Sequence, residues 1–413
     1  MQPARVLSFT GAFTCQGCRA RQGLGAPGPR HQRRAFSRSG PRHAAPPGPS
    51  RSGVAALSSR KLISVSGPDA AKYLQGVITA NILTGSPQQH VRTDPGFYAA
   101  FLTAQGRVLH DVFIYPDVRK DPTNSFLVEV DASEAERLQK HIKRYKLRAK
   151  FDVRVLDEDE GRVWHAWNDD DANMVLPPSA SADASIITVS DTRAPGLGRR
   201  VITLGSPGGN PAPNLDLPRV AEESYLIRRY LFGVPEGQSE ILREQALPHE
   251  SNIDLMGGVD FRKGCYVGQE LTIRTEHRGV VRKRVLPCLV YPSSDGSKVP
   301  EKLEYQPAVD QSVGVTADMV PAEASIGRVG KKGRSAGKWL KGVGNLGLAL
   351  CRLEIMTDVV LPGETGGVGF NAEDEFIVEL KAEGEGGDGQ NAKIKAFVPE
   401  WLRERLSSKE GPH

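Results

Sequence analysis

The chain has 413 residues, of which 39% are hydrophobic and 25% charged, ordinary values for a globular protein and more length than one core usually organises, so two or three domains are expected. No apolar run approaches the roughly eighteen residues needed to span a bilayer, which argues against membrane insertion. The net charge of +5 sits at one end: residues 1–53 hold nine Arg and no Lys, Asp or Glu, so the remainder carries −4 and a nucleic-acid partner loses its main support.

That Arg-rich, acid-free leader has the composition of a mitochondrial transit peptide, expected over residues 1–36, and Arg34-Ala35-Phe36-Ser37 reads as a matrix-protease site cleaved after Phe36. A disordered basic tail is the competing reading. Residues 37–58, rich in Pro and Gly, read as a flexible linker. Cys15-x-x-Cys18 has metal or redox spacing but falls in the leader and reads as a chance pair. Cys265, Cys288 and Cys351 are odd in number and widely spaced, so neither a disulfide framework nor a zinc cluster is implied.

From Arg60 the text reads as a strand through Leu62, Ile63 and Val65, a turn at Ser66-Gly67-Pro68-Asp69, and a helix from Ala70 to Val77. Tyr98–Leu102 and Val108–Tyr115 are strand-like runs joined by a short Gly-containing connection, which predicts a hairpin. After a strand at Phe126–Val130, Ser133 and Glu136 have capping-box spacing ahead of Leu138, Ile142 and Tyr145 at helical spacing. Phe151, Val153 and Val155 alternate as a strand. Looser text follows, with strands expected near Val163–Trp167, Ile186–Val189 and Val201–Leu204, then a helix over Arg219–Phe232.

Beyond Pro287, Val- and Gly-rich strands predominate, at Val313–Thr316, Ser325–Val329, Leu346–Leu353, Phe376–Leu380 and Ile394–Val398. They predict a small C-terminal β-barrel or sandwich. Gly330–Lys341 and Gly384–Gly389 read as exposed loops. The domain boundaries expected are 59–285 for an α+β body and 286–413 for the β domain.

Chemistry concentrates in Asp260-Phe261-Arg262-Lys263-Gly264-Cys265-Tyr266-Val267-Gly268-Gln269-Glu270. A thiol between two glycines is presented rather than packed, because the glycines allow positive φ or close approach, whereas core cysteines are flanked by apolar residues. Arg262 and Lys263 supply the positive charge that suits a thiolate, the form that attacks electrophiles or binds metal. A structural cysteine in a tight turn is the alternative. A thiol hydrolase would need a general base, for which His249 and His277 are near only in sequence.

This stretch, with Leu247-Pro248-His249-Glu250-Ser251-Asn252-Ile253-Asp254 before it, closely resembles the signature of the YgfZ group of the GcvT, aminomethyltransferase-like, family. Supporting text lies in Val65–Ala70, Leu74-Gln75-Gly76, Gly106–Asp111 and Leu346–Leu350, so the similarity covers most of residues 60–355. The resemblance implies a GcvT-like folate-binding α+β fold, two intertwined portions with a C-terminal β-barrel around a central opening. It implies a mitochondrial matrix factor acting late in four-iron, four-sulfur cluster assembly, with A-type iron-sulfur scaffold proteins and apo iron-sulfur enzymes as partners.

By the same resemblance the functional motif is Lys263, Gly264, Cys265, Tyr266, Gly268, Gln269 and Glu270. Lys263 and Cys265 are the residues most tied to activity, and Gln269 and Glu270 brace the loop. Cys265 is the expected ligand of a transient shared iron-sulfur cluster, and Asp111, Arg107 and Lys263 are the expected contacts to tetrahydrofolate. Where the aminomethyltransferase carries a paired acid, this chain reads His110-Asp111, which puts its alternative role as a tetrahydrofolate-dependent aminomethyl or methyl transferase in doubt.

Overall fold

The computed structural model describes residues 46–85, 90–171, 186–205, 213–293, 298–307, 315–331, 333–361, 369–380 and 391–408. The expected transit peptide with Cys15 and Cys18, the loop at Gly384–Gly389 and the first residues of the strand expected at Val313 lie outside the described residues.

In chain order the elements begin β1 (Ser52–Ala56), β2 (Arg60–Ser66), α1 (Ala70–Val77), β3 (Leu83–Thr84), β4 (His90–Val91), β5 (Phe97–Leu102), β6 (Val108–Pro116) and β7 (Ser125–Asp131). They continue α2 (Ala135–Tyr145), β8 (Asp152–Val155), β9 (Gly161–Asn168), β10 (Ile186–Ser190), β11 (Arg199–Leu204), β12 (Arg219–Val220), α3 (Glu222–Leu231) and α4 (Gln269–Arg278). The last third holds β13 (Lys283–Pro292), β14 (Ser325–Arg328), β15 (Gly337–Val343), β16 (Leu346–Arg352), α5 (Leu353–Met356), β17 (Phe376–Glu379), β18 (Asn391–Ala396) and α6 (Glu400–Ser408).

Two five-stranded sheets carry the α+β part, in the orders β10-β11-β9-β1-β12 and β5-β6-β7-β2-β8. Consecutive strands β1 and β2 lie in different sheets, as do β8 and β9, so the chain crosses between the sheets and the two portions intertwine. The other six major strands close a barrel in the order β13-β16-β15-β14-β17-β18. One buried apolar cluster runs from Trp167 and Ile202 through Leu62 and Phe113 to Trp339 in the barrel, so sheets and barrel share a core. A second cluster, with Ile63, Leu74, Phe101, Leu138 and Ile142, fixes α1 and α2 on the outer face of the β5–β8 sheet. Each such fully buried side chain contributes about 1.5–3 kcal/mol.

Five local expectations are corrected. Ser52–Ala56 is a strand inside the expected linker; its partners Ala166 and Arg219 stand opposite Val54 from far along the chain, so local text does not reveal it. Asp131, not Ser133, caps the α2 region: its Oδ1 accepts from the Ser133 N–H at 2.9 Å and from the Ser133 hydroxyl at 2.6 Å, and a 3-10 turn over Ala132–Glu134 precedes the helix. The helix expected from Arg219 starts at Glu222, because Arg219 and Val220 pair with β1. Gly337 to Lys341 belongs to β15, not to a loop; a bulge between Trp339 and Lys341 interrupts the alternation that would have marked it. The barrel strand begins at Lys283, three residues before the expected boundary. Among the described residues no helix is long and apolar enough to cross a membrane.

Candidate functional site

The loop from Asp260 to Gly268 is sewn to the exit of α1. Asp260 donates its N–H to the Thr79 carbonyl at 3.0 Å and accepts from the Asn81 amide at 2.5 Å, while Val267 donates to the Gly76 carbonyl at 3.0 Å. The Thr79 hydroxyl donates to the Gly258 carbonyl at 2.5 Å, and Gln75 holds its own segment in shape by accepting from the Ile82 and Leu83 N–H groups at 2.9 and 3.1 Å. This explains why Leu74-Gln75-Gly76 and the cysteine motif occur in one chain: each completes the backbone hydrogen bonding of the other.

Lys263 is the rivet of that seam. Its ammonium donates to the carbonyls of Gln75 at 2.8 Å, Ile78 at 2.5 Å and Ala80 at 3.2 Å, three acceptors for three donors. It also lies 4.6 Å from the centre of the Tyr266 ring, a cation–π contact. Burial pulls the Lys263 ammonium down to about 7, with Asp260 opposing. The charge of Lys263 is thus directed at carbonyls of the last turn of α1 and the segment leaving it, which ties the loop down.

Gly268 ends the loop with φ +81, the left-handed conformation that glycine adopts without cost, and α4 starts at the next residue. A Cβ there would lie 2.2 Å from the Thr103 carbonyl oxygen and 3.2 Å from the Gly106 Cα, so the β5–β6 hairpin turn and this loop meet backbone to backbone. Gln269 braces the turn by accepting from the Tyr266 N–H at 3.2 Å. Glu270 is exposed in the first turn of α4, where a carboxylate complements the helix dipole, and its side chain makes no hydrogen bond among the described residues.

Between these fixed points Gly264 and Cys265 are exposed, and Tyr266 turns inward. Of the cysteines among the described residues, Cys265 alone is exposed; Cys288 and Cys351 are buried in the barrel with their Sγ atoms 3.8 Å apart. Cys265 opens onto a cleft of about 650 Å³ with Lys263, Ile273, Arg274, His277 and Arg278. Arg274 and Arg278 are one helical turn apart on that cleft. His249 is buried elsewhere, 3.4 Å from Glu276, and borders a different cleft, so it is no base for Cys265.

The residues read as folate contacts do not converge. Asp111 is fully buried, accepting from the Gly237 N–H at 3.1 Å and from Arg60 at 3.4 Å. Burial raises its pKa, with Arg60 opposing. Arg107 is exposed and donates to the Gln245 carbonyl at 2.5 Å on a separate cleft, and Lys263 is spent on α1. His110 is buried against Arg243 at 2.7 Å; burial first and Arg243 second hold it down to about 3, so it stays neutral. No acid pair stands free for iminium chemistry at this position.

A centre that the sequence did not announce lies beneath Arg60. Glu236 accepts from Arg193 at 2.8 Å, from the Tyr225 hydroxyl at 2.9 Å and from Arg200, and Glu129 accepts from Arg60 at 2.8 Å and the Tyr115 hydroxyl at 2.6 Å. All are buried. Burial alone would raise Glu236; Arg200, Arg193, Arg60 and Arg229 overcome it and hold the carboxylate well below its usual range. Above them opens a cleft of about 530 Å³ bordered by Arg60, Asp131, Tyr225, Arg229 and Gln238. Both polar atoms of the Gln238 amide are buried without a partner among the described residues. An unpaired amide beside a cleft of this size suits a ligand that offers a matched donor and acceptor. Isolated arginines and acids scattered from 60 to 240 carry no spacing signal, so only the fold reveals them.

Comparison with known proteins places this architecture. Residues 282–404 match the family model described as CAF17, C-terminal beta-barrel domain. The crystal structure of glycine cleavage system aminomethyltransferase T from Bartonella henselae superposes with a TM-score of 0.53 at 13% identity, covering 86% of this chain and 87% of that one, so the fold is shared. A protein of Chaetomium globosum named iron-sulfur cluster assembly factor IBA57 homolog, mitochondrial, is 61% identical over 442 residues, covering 100% of both chains. The chain belongs to the IBA57 family. Proteins of the same name from Pyricularia oryzae and Neurospora crassa are 58% and 50% identical, covering 87% and 97% of this chain and 87% and 90% of their own. As the IBA57 relatives are, it is mitochondrial.

Proposed function

We propose that this chain matures iron-sulfur proteins in the mitochondrial matrix, acting late, in the assembly of four-iron, four-sulfur clusters, by lending Cys265 to a cluster shared with an A-type scaffold protein. The observation that carries the reading is the single exposed thiol among the described residues, held on a loop pinned by Lys263 and Gly268. A thiolate is a soft ligand suited to iron, and a cluster needs several ligands. With Cys288 and Cys351 buried, the described part of this chain offers one, so the partner supplies the rest. The names of the IBA57 relatives support cluster assembly over methyl transfer.

Arg274 and Arg278 on the same cleft place positive charge where an anionic metal–thiolate centre would approach. The apo iron-sulfur enzymes that receive clusters are the proposed clients. In cells lacking the protein, the wild-type chain restores aconitase-type activity and Cys265→Ala does not; full rescue by Cys265→Ala overturns the reading.

We further propose that the cleft bordered by Arg60 and Gln238 takes a reduced folate, with the Gln238 amide as the group that anchors it. Bound there, the group would supply a one-carbon carrier. Asp111 is closed off beneath Arg60, so it orders the cleft wall through Gly237 rather than touching the ligand. Titration with tetrahydrofolate, followed by protein fluorescence, shows saturable binding weakened by Gln238→Ala; no binding to the wild type refutes this part alone.

A further inference from the structure

The end of α2 carries two anomalies at one residue. Leu147 has φ +47, the left-handed conformation that glycine or asparagine normally supplies where a helix ends, and its side chain is 84% exposed, the most exposed large apolar residue among those described. A branched apolar residue in that conformation is strained, and no described residue covers it in return. The turn that lifts it is firm: the Lys146 N–H donates to the Ile142 carbonyl at 2.9 Å, the Ala149 N–H to the Lys146 carbonyl at 2.8 Å, and the Lys146 ammonium to the Phe151 carbonyl at 2.6 Å. The Lys150 N–H donates to the Asp69 carboxylate at 2.7 Å, fastening the tip to the start of α1.

Charge surrounds this tip. From Arg137 to Phe151 seven residues are Lys or Arg and none is Asp or Glu, in a body whose overall balance beyond the leader is negative. Arg137 and Lys140 pair with Glu134 and Glu136, each about one turn away. Lys143, Arg144 and Arg148 are exposed with no carboxylate partner among the described residues, and Tyr145 beside them is 53% exposed.

We propose that this tip docks on an anionic lipid surface, with Leu147 entering the headgroup–acyl boundary, Tyr145 at the headgroup level, and Lys143, Arg144 and Arg148 on the lipid phosphates. The contact is superficial and distinct from a membrane span. A projecting aliphatic side chain ringed by cations matches a bilayer interface, which offers anionic phosphate above a hydrocarbon layer. A nucleic-acid backbone offers the phosphate but no place for leucine. The tip meets α1 at its first turn and the thiol loop meets α1 at its exit, so docking leaves the Cys265 cleft at the other end of that helix.

The test uses the full chain with Leu147→Trp and vesicles of brominated phosphatidylcholine and phosphatidylglycerol in equal parts. The native tryptophans Trp164, Trp167, Trp339 and Trp401 are buried, so quenching reports position 147 and not the Arg-rich leader. A blue shift and bromolipid quenching are expected with the anionic vesicles, absent with phosphatidylcholine alone. Lys143→Glu with Arg144→Glu and Arg148→Glu lowers the partition coefficient at least about tenfold. Leu147→Asn, which suits the left-handed turn, also weakens binding while thermal stability stays equal or rises, separating docking from folding. If the tryptophan introduced by Leu147→Trp stays unquenched on vesicle-bound protein, the proposal is overturned. A shift of its emission with an oligonucleotide or polyglutamate, but not with vesicles, overturns it equally.

Discussion

The Lys263 ammonium donates to the Ile78 carbonyl at 2.5 Å, joining the cysteine loop to the exit of a helix 185 residues earlier. Because burial lowers this amine to about 7 from the ordinary 10.5, the unfolded chain binds more protons than the folded one between those values. Stability therefore rises with pH across that window through this group. Lys263→Met removes that rise. Denaturant midpoints of wild type and variant at pH 7 and pH 9 check it, and an unchanged pH slope in the variant counts against the assignment. The variant is also less stable at pH 7, by about 1–3 kcal/mol, since three carbonyls lose their donor.

Gly268→Ala is expected to cost about 3 kcal/mol, from a left-handed backbone and a Cβ driven against the Thr103 carbonyl. Urea denaturation measures it. A loss below about 0.5 kcal/mol would show that the loop can shift away from the hairpin.

Thiol accessibility follows burial. In a chain carrying Cys15→Ser and Cys18→Ser, an aromatic disulfide reagent titrates Cys265 in the folded state, and Cys288 and Cys351 only after unfolding. Burial pushes the Cys288 thiol well up, which slows it further. Rapid modification of all three in the native protein contradicts the barrel packing.

Much of this is legible in the amino-acid sequence. The hairpin at Thr103–Arg107, the α2 helix and the exposed Cys265 follow from turn glycines and period, which are local signals. What local text could not show were long-range arrangements. β1 pairs with strands more than a hundred residues away, and Asp131 outcompetes Ser133 as a cap because it stands two residues earlier with its carboxylate placed to accept. The partner of Lys263 is backbone, which has no sequence identity to read. The buried charges around Glu236 are likewise assembled by topology alone.

Glu236→Gln tests that buried centre. It leaves Arg193 and Arg200 short of negative charge and is expected to cost about 3–5 kcal/mol. Glu236 is held below its unfolded pKa, so its contribution is present at neutral pH and lost as pH falls through the folded value. The wild type consequently loses stability toward acid more steeply than Glu236→Gln. Equal acid profiles would show that the Glu236 carboxylate contributes nothing to stability.

The proposed function rests on Cys265 as a ligand completed by a partner. Anaerobic mixing of the purified protein with a cluster-loaded A-type scaffold, followed by visible circular dichroism and electron paramagnetic resonance, tests it most directly. A new cluster spectrum and a stable complex are expected with wild type, and neither with Cys265→Ser. A complex with Cys265→Ser whose cluster spectrum equals that of wild type would contradict it.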